Sequence, residues 1–116
     1  MGEKMEALIC AVDAMADREY ARAGAIYGKE FASSSEGFGV IAEEVQEAHE
    51  CMEMVGAVMH QLLKAIRSED AKAIRDVSVY IRENALFGAA EMIQVAAMCK
   101  KMVHTLEVLN EEPVQA

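Results

Sequence analysis

Apolar side chains recur every three or four residues along most of the chain, which is the spacing that places them on one face of an α-helix. Three such stretches follow one another. The first extends from about Glu3 to Ala23, and Gly24 is predicted to end it because glycine favours the backbone conformation that closes a helix. The residues from Gly24 to Ser35 are predicted to form a loop.

The second stretch is predicted to form a helix from Ser34 to Arg67. Ser33 and Glu36 have the spacing of a capping box, in which each side chain accepts a hydrogen bond from a free backbone N–H group. At 1.5 Å per residue the helix is about 50 Å long, whereas a compact domain of this size is about 35 Å across. We therefore expect the helix to bend near Gly56 or, as the favoured alternative, to reach into another subunit.

The third stretch is predicted to begin with Ser68 as its N-cap. The Gly88-Ala89-Ala90 step either divides it into two helices or allows a close crossing, and the tail from 110 to 116 is predicted to fray. The last part is apolar on more than one side, as in a subunit interface. We therefore predict an all-α helical bundle of three to five helices with long central helices, formed by a single domain (residues 1–116) and assembled as an oligomer.

Composition narrows the possible partners. Apolar residues make up 53% of the 116 residues and aromatic residues only 5%, and the abundance of Ala, Met, Leu and Glu favours helix. The formal net charge of −9 argues against nucleic acid or an anionic membrane as a partner. It permits a nucleotide substrate, because a divalent cation can join acidic protein to phosphate. Three cysteines without CxxC spacing, no transmembrane run and no leader segment predict a cytoplasmic location.

The segment from Ser33 to Glu50 places many carboxylates in one predicted helix: Glu36, Glu43, Glu44, Glu47 and Glu50. No lysine or arginine lies between Phe31 and Leu63, so the cluster has no basic partner one turn away. Glu44 and Glu47 stand at the border of the apolar stripe, where carboxylates can point into a groove and stay near water. A solvated acidic face and a Mg²⁺ site both remain open on these residues.

A metal site of this kind needs a second helix. Glu91, with Gln94 three residues later, is the best candidate because apolar residues surround it. Lys100 and Lys101 follow and could meet phosphate oxygens, although solubilising charge near a helix end is the other reading. No P-loop, catalytic triad or Glu-x-x-His pair is present.

Two segments resemble a known family. FASSSEGFGVIAEEVQEA is similar to the first signature of the MazG-like all-α nucleoside triphosphate pyrophosphohydrolases, especially the small phage-type members, and GAAEMIQVAAMCKKMV resembles their later Glu-x-x-Asp helix. The resemblance implies a helical bundle assembled as a dimer or tetramer, with Mg²⁺ between its helices. The reaction implied is hydrolysis of a nucleoside triphosphate to the monophosphate and pyrophosphate.

The resemblance also implies roles for individual residues. Glu44 and Glu47 match the first carboxylate pair and Glu91 matches the first residue of the second motif, while Gln94 stands where the family usually has Asp. The expected Mg²⁺ ligands are therefore Glu44, Glu47, Glu91 and Gln94. Glu43 or Glu47 is expected to accept the proton of the attacking water. The residues expected to contact the substrate are Lys100, Lys101 and Glu36.

The leading hypothesis is a cytoplasmic, oligomeric, Mg²⁺-dependent nucleotide pyrophosphohydrolase whose partners are its nucleotide and further copies of itself, with no nucleic acid and no membrane. The alternative is a catalytically inactive MazG-like oligomer that acts as a regulatory or protein-interaction module, with Gln94 as the trace of a decayed site. A third hypothesis is an unrelated helical adaptor that binds a partner helix through its methionine-rich face.

Overall fold

The structure, a computed structural model, describes residues 2–111. Within this range the chain forms three α-helices and no strand: α1 (Glu3–Tyr27), α2 (Ser34–Arg67) and α3 (Ala71–Glu111). The predicted all-α fold class is confirmed. Of the predicted tail, residues 110 and 111 belong to α3 and residues 112–116 lie outside the described residues. None of the three helices combines the length and the apolar character that crossing a membrane requires.

The first helix ends four residues later than its pattern predicts, at Tyr27 instead of Ala23. The backbone stays helical through Gly24, and Gly28 then adopts a φ of 93° while its N–H donates to the Gly24 carbonyl at 3.0 Å. A positive φ of this kind is accessible to glycine at little cost. The predicted stop at Gly24, and the loop from that residue, are therefore wrong because Gly28 supplies the terminating conformation.

The second helix has its predicted bounds, and its capping box is formed in a variant geometry. The Ser33 hydroxyl accepts a hydrogen bond from the Glu36 N–H at 3.1 Å. The Glu36 carboxylate in turn accepts a hydrogen bond from the Ala32 N–H at 3.3 Å, one residue beyond the usual donor. Glu36 is thus engaged as a cap of α2.

The second helix closes with a Schellman motif. The Glu69 N–H donates to the Ile66 carbonyl and the Asp70 N–H donates to the Ala65 carbonyl, both at 3.1 Å. Glu69 occupies the position that favours glycine, and its φ is 54°. This short turn therefore holds a non-glycine residue in a conformation that costs free energy.

The third helix starts at Ala71, and Asp70 is its N-cap. An Asp70 carboxylate oxygen accepts a hydrogen bond from the Ala73 N–H at 3.1 Å. The predicted N-cap, Ser68, instead donates its N–H to the Lys64 carbonyl and belongs to the closing turn of α2. The prediction of Ser68 as N-cap is wrong because that turn consumes two more residues than expected.

Contacts between residues divide the chain into two compact units. Unit 1 contains the residues up to Glu44 and those from Ile93 onward, and unit 2 contains Val45–Met92. Unit 1 therefore comprises α1, the start of α2 and α3 from Ile93 onward. Unit 2 comprises the rest of α2, the turn at 68–70 and α3 up to Met92.

Unit 2 is an antiparallel helical hairpin in which the two helices cross closely at Gly88. A Cβ atom at Gly88 would lie 3.2 Å from the Cβ atom of Cys51 on α2. The third helix runs through this position without interruption. Division of the helix at the Gly88-Ala89-Ala90 step is therefore wrong, and its predicted alternative, a close crossing, is confirmed.

Unit 1 has a packed core around one aromatic ring. Its buried members are Ala23, Phe31, Ala97 and Met98, and Phe31 is only 5% exposed. The Phe31 N–H donates to the Thr105 hydroxyl at 2.9 Å, and this hydroxyl donates to the Lys101 carbonyl at 2.8 Å. A Cβ atom at Gly37 would collide with Met102 and Phe31. The loop before α2 is thus fixed by burial and by a buried hydrogen-bond chain.

Unit 2 fully buries only small apolar side chains, Ala48 and Ala65. Six larger ones are half-buried: Val55, Val58, Leu62, Ile74, Val77 and Ile81. The other large apolar side chains are exposed: Val45, Met52, Met54, Met59, Leu63, Ile66, Val79, Tyr80, Leu86, Phe87 and Met92. Burial of large apolar side chains is the main source of folding free energy. The hairpin therefore leaves much of its large apolar surface uncovered.

Candidate metal centre

Three carboxylates converge where α2 and α3 run side by side. One oxygen of each of Glu44, Glu47 and Glu91 lies within 4.8 Å of the others. Glu47 and Glu91 belong to unit 2, and Glu44 directly precedes its first residue on the same uninterrupted helix. Glu44 and Glu47 are three residues apart, so one turn of α2 presents both on one face. The structure thus brings together three of the four predicted metal-ligand residues.

These three carboxylates differ in exposure. Glu44 and Glu91 are half-buried, whereas Glu47 is exposed. One oxygen of Glu91, Oε2, is shielded from solvent. The cluster therefore has two anchored acids beside the helix contact and one acid that solvent reaches.

The oxygen spacing suits a divalent cation. Mg²⁺ binds oxygen at about 2.1 Å and Ca²⁺ at about 2.4 Å, so ligands on opposite sides are about 4.2 Å or about 4.8 Å apart. Oxygens within 4.8 Å of one another are therefore close enough to share one such ion. A donor set of carboxylate oxygens alone favours such hard cations over zinc or copper.

Electrostatics also favours a cation in this cluster. Carboxylates this close together repel one another unless a cation or a proton reduces their charge. The neighbouring segment from Phe31 to Leu63 supplies no lysine or arginine. A bound divalent cation would therefore lower the energy of the cluster more than that of an ordinary acidic surface.

The fourth predicted ligand, Gln94, has a different partner in unit 1. Its amide nitrogen donates a hydrogen bond to the Glu19 carboxylate at 2.7 Å. Glu19 also pairs with Arg22 on α1. The hydrogen bond from Arg22, together with the one from Gln94, lowers the pKa of Glu19 against the opposing effect of burial. Aspartate at position 94 has no N–H to donate, so Glu19 gives a structural reason for glutamine here.

The two lysines predicted to contact phosphate are both engaged within unit 1. The Lys100 ammonium lies 2.6 Å from the Asp17 carboxylate and 5.1 Å from the centre of the Tyr20 ring. The hydrogen bond to Asp17 raises the pKa of Lys100. Lys101 is only 6% exposed, and its ammonium lies 4.5 Å from the centre of the Phe31 ring. Lys101 therefore forms a cation–π contact in the core of the unit.

The remaining predicted site residues lie on α2. Glu43 is exposed and adjoins Glu44 in the sequence, and Glu36 caps the helix. Glu19 is the polar residue that the sequence did not single out. The only nearby residue that indicates a role for Glu19 is Arg22, three residues later, and such a pair is typical of any exposed helix face. Its other partner, Gln94, is 75 residues away in the sequence.

An apolar groove adjoins the cluster within unit 2. Its volume is about 500 Å³, and Ala48 and Met92, which directly follow Glu47 and Glu91, are among its lining residues. The other lining residues are Val45, His49, Cys51, Met52, Val55, Asn84, Ala85, Gly88 and Ala89. The groove thus combines apolar walls with a few polar groups, as small-molecule sites do.

The chain was compared with models of protein families, with curated proteins and with solved structures. None of them matches. The likeness to the MazG-like pyrophosphohydrolases therefore depends on the two quoted segments alone, and the geometry of the carboxylates stands beside it as a separate observation.

Proposed function

We propose that the protein is a divalent-cation-dependent pyrophosphohydrolase that cleaves a nucleoside triphosphate to the monophosphate and pyrophosphate. The observation that carries the proposal is the convergence of Glu44, Glu47 and Glu91, with oxygens within 4.8 Å of one another. The resemblance of the two segments that contain these residues supports the same reaction. The net charge of −9 is compatible with it, because the cation joins the acidic site to the phosphates.

The residues of the cluster would have two roles, metal binding and proton acceptance. Glu44 and Glu91, which are half-buried, would hold Mg²⁺ with Glu47. When bound, the ion would neutralise phosphate charge and lower the pKa of a coordinated water. Glu47 is exposed and reaches solvent, so it is placed to accept a proton from the attacking water, with the neighbouring Glu43 as the other candidate base.

The groove beside the cluster would take the nucleoside part of the substrate. Its volume of about 500 Å³ exceeds that of a base and sugar, and its walls include Met52, Val55 and Met92. Apolar walls favour a flat base through burial, and the polar atoms of His49 and Asn84 would orient it. The cluster at one side of the groove would then meet the phosphates.

We also propose that the chain self-associates through unit 2. Met52 is 73% exposed and Phe87 is 67% exposed, and covering such side chains contributes about 25 cal/mol per Å². A second copy offers the same surface, as an isologous interface requires. This surface is also the observation that favours the second candidate function, a catalytically inactive oligomer acting as an interaction module.

Release of pyrophosphate separates the two functions. The wild-type chain and the variants Glu47→Gln and Glu91→Gln would be tested on a panel of nucleoside triphosphates with and without Mg²⁺. We expect release that needs Mg²⁺ and falls at least about 100-fold in both variants, since a metal ligand and a base are lost. Glu50→Gln, on the same helix outside the cluster, is the matched control and should keep full activity.

An absence of pyrophosphate release would contradict the catalytic function. If no nucleotide of the panel yields pyrophosphate with Mg²⁺, Mn²⁺ or Ca²⁺ present, the catalytic function is wrong and the interaction module replaces it. Circular dichroism spectra of the variants would show whether each keeps its helices. Light scattering at several concentrations would test self-association separately, and a monomer at all of them would contradict that part of the proposal.

A further inference from the structure

A second cavity lies in unit 1 and shares no residue with the carboxylate cluster. Its volume is about 390 Å³, and the second half of α1, the loop after it and α3 form its walls. The lining residues are Tyr20, Ala21, Gly24, Ala25, Lys29 and His104. A cavity of this size holds a small organic anion, and the chemistry of its walls decides which kind.

Hydrogen-bond donors dominate the polar part of this wall. The Lys29 ammonium forms no ion pair with any other side chain between residues 2 and 109. His104 contributes its imidazole, with Nε2 3.4 Å from the Glu30 carboxylate. Tyr20 contributes its ring to the wall, and its phenol can also donate. Glu30 is therefore the acid that competes with an incoming anion for His104.

The floor of the cavity contains a glycine that helix stability does not explain. Gly24 lies inside α1, where alanine gives a more stable helix. Packing does not require glycine there either. A Cβ atom at this position would meet the Lys29 side chain at 3.8 Å, an ordinary van der Waals distance, and no other atom within 4 Å. The missing side chain therefore leaves open space in the cavity itself.

We propose that this cavity binds a small oxyanion, with Lys29 and His104 as its hydrogen-bond donors and Gly24 as its floor. A charge-assisted hydrogen bond from an ammonium, with a second bond from an imidazole N–H, suits phosphate and carboxylate groups alike. Because its donors and floor all belong to unit 1, binding requires neither a divalent cation nor the carboxylate cluster. The inference is thus independent of the proposed hydrolysis.

Isothermal titration calorimetry in the presence of EDTA tests the site, because EDTA prevents any cation-mediated binding at the cluster. Inorganic phosphate, pyrophosphate and citrate would be titrated at constant ionic strength. Saturable binding of the two phosphates alone assigns the site to phosphate groups, and saturable binding of citrate alone assigns it to carboxylates. Absence of saturable binding for all three overturns the proposal.

Four variants make the test specific. Lys29→Gln should weaken binding at least tenfold, and Glu30→Gln should tighten it severalfold because it removes the competing acid. Gly24→Ala should raise the melting temperature and yet weaken binding, since the added methyl group occupies the floor. Lys4→Gln, which removes an exposed lysine near the start of α1, is the control and should bind as the wild type does.

Two results would contradict the proposed site even if anions bind. Equal weakening by Lys4→Gln and Lys29→Gln would show that the anions only respond to overall charge. A Gly24→Ala protein that is more stable and binds with unchanged affinity would show that the glycine does not form the floor of a site.

Discussion

The two units of the chain use the same kind of helix and both leave large apolar side chains exposed, but they differ in what they bury. Unit 1 encloses Phe31 and Met98, and a buried hydrogen-bond chain through Thr105 fixes its loop. Unit 2 buries alanines and leaves Met52 and Phe87 largely exposed. An apolar stripe with helical spacing therefore predicts the helix in both units, but it does not predict which side chains the chain itself will cover.

The difference bears on function. A surface of large apolar side chains on a hairpin lowers its free energy only when another molecule or another copy covers it. Unit 2 is also where α2 and α3 bring Glu47 and Glu91 together. We infer that unit 1 supplies the packed core, and that unit 2 combines the candidate site with a surface for association.

The largest effect on stability that we predict comes from replacing a phenylalanine by alanine, once in each unit. Phe31→Ala should lower the free energy of unfolding by about 3–5 kcal/mol, because it empties a closely packed core. Phe87→Ala should cost less than about 0.5 kcal/mol at low protein concentration, because its ring is exposed. Urea unfolding of both variants measures the two values.

Concentration sharpens this comparison. If copies associate through unit 2, the cost of Phe87→Ala should grow as protein concentration rises, since association stabilises the folded state. The cost of Phe31→Ala should not change. Equal costs for the two variants at low concentration would contradict the contrast between the units.

A smaller effect is expected where Gln94 meets Glu19. Gln94→Asp replaces a donor by a second carboxylate in a half-buried place and should destabilise unit 1 by about 1–2 kcal/mol at neutral pH. Gln94→Met removes the donor without adding charge and should cost less. A Gln94→Asp protein as stable as the wild type at pH 7 would rule out this role of the glutamine.

The pH dependence of that variant follows from Glu19. Its pKa is lowered below the ordinary 4.5, so its contribution to stability is present above that pH and is lost as the pH falls through the lowered pKa. Aspartate at position 94 would instead raise the pKa of Glu19. The deficit of Gln94→Asp should therefore be largest near pH 7 and shrink below about pH 4.5, which thermal unfolding at a series of pH values would show.

The smallest effect concerns the turn of unit 2. Glu69 has a φ of 54°, so Glu69→Gly should stabilise the hairpin by about 0.5–1 kcal/mol by relieving the left-handed conformation. Ser78→Gly, at an exposed position inside α3, is the matched control and should destabilise the hairpin by about 0.5–1 kcal/mol. Melting temperatures of Glu69→Gly and Ser78→Gly would then move in opposite directions. A decrease for Glu69→Gly would show that its side chain contributes more than its strain costs.

Local patterns predicted the parts of the fold that local physics determines. The Ser33 and Glu36 pair located the start of α2, and the alignment of one turn placed Glu44 beside Glu47. The end of α1 at Gly24 and the N-cap of α3 at Ser68 were predicted wrongly, because the choice between two possible caps depends on a few tenths of a kcal/mol.

Other features required the folded chain. The approach of Glu91 to the α2 acids was expected only through the resemblance and the apolar surroundings of that residue. The bond between Gln94 and Glu19, and the burial of Lys101 beneath Phe31, join residues about 70 or more positions apart. No periodicity within one helix encodes such contacts, which depend on how the helices pack.

Binding of Mn²⁺ followed by electron paramagnetic resonance tests the central claim most directly, because the signal of free Mn²⁺ disappears as the ion is bound. We expect the wild type to bind one ion per chain and Glu91→Gln to bind it at least about tenfold more weakly, as the loss of a ligand predicts. Glu50→Gln should bind as the wild type does. If the wild type and Glu91→Gln bind Mn²⁺ equally, or if neither binds it, Glu44, Glu47 and Glu91 do not form a metal centre.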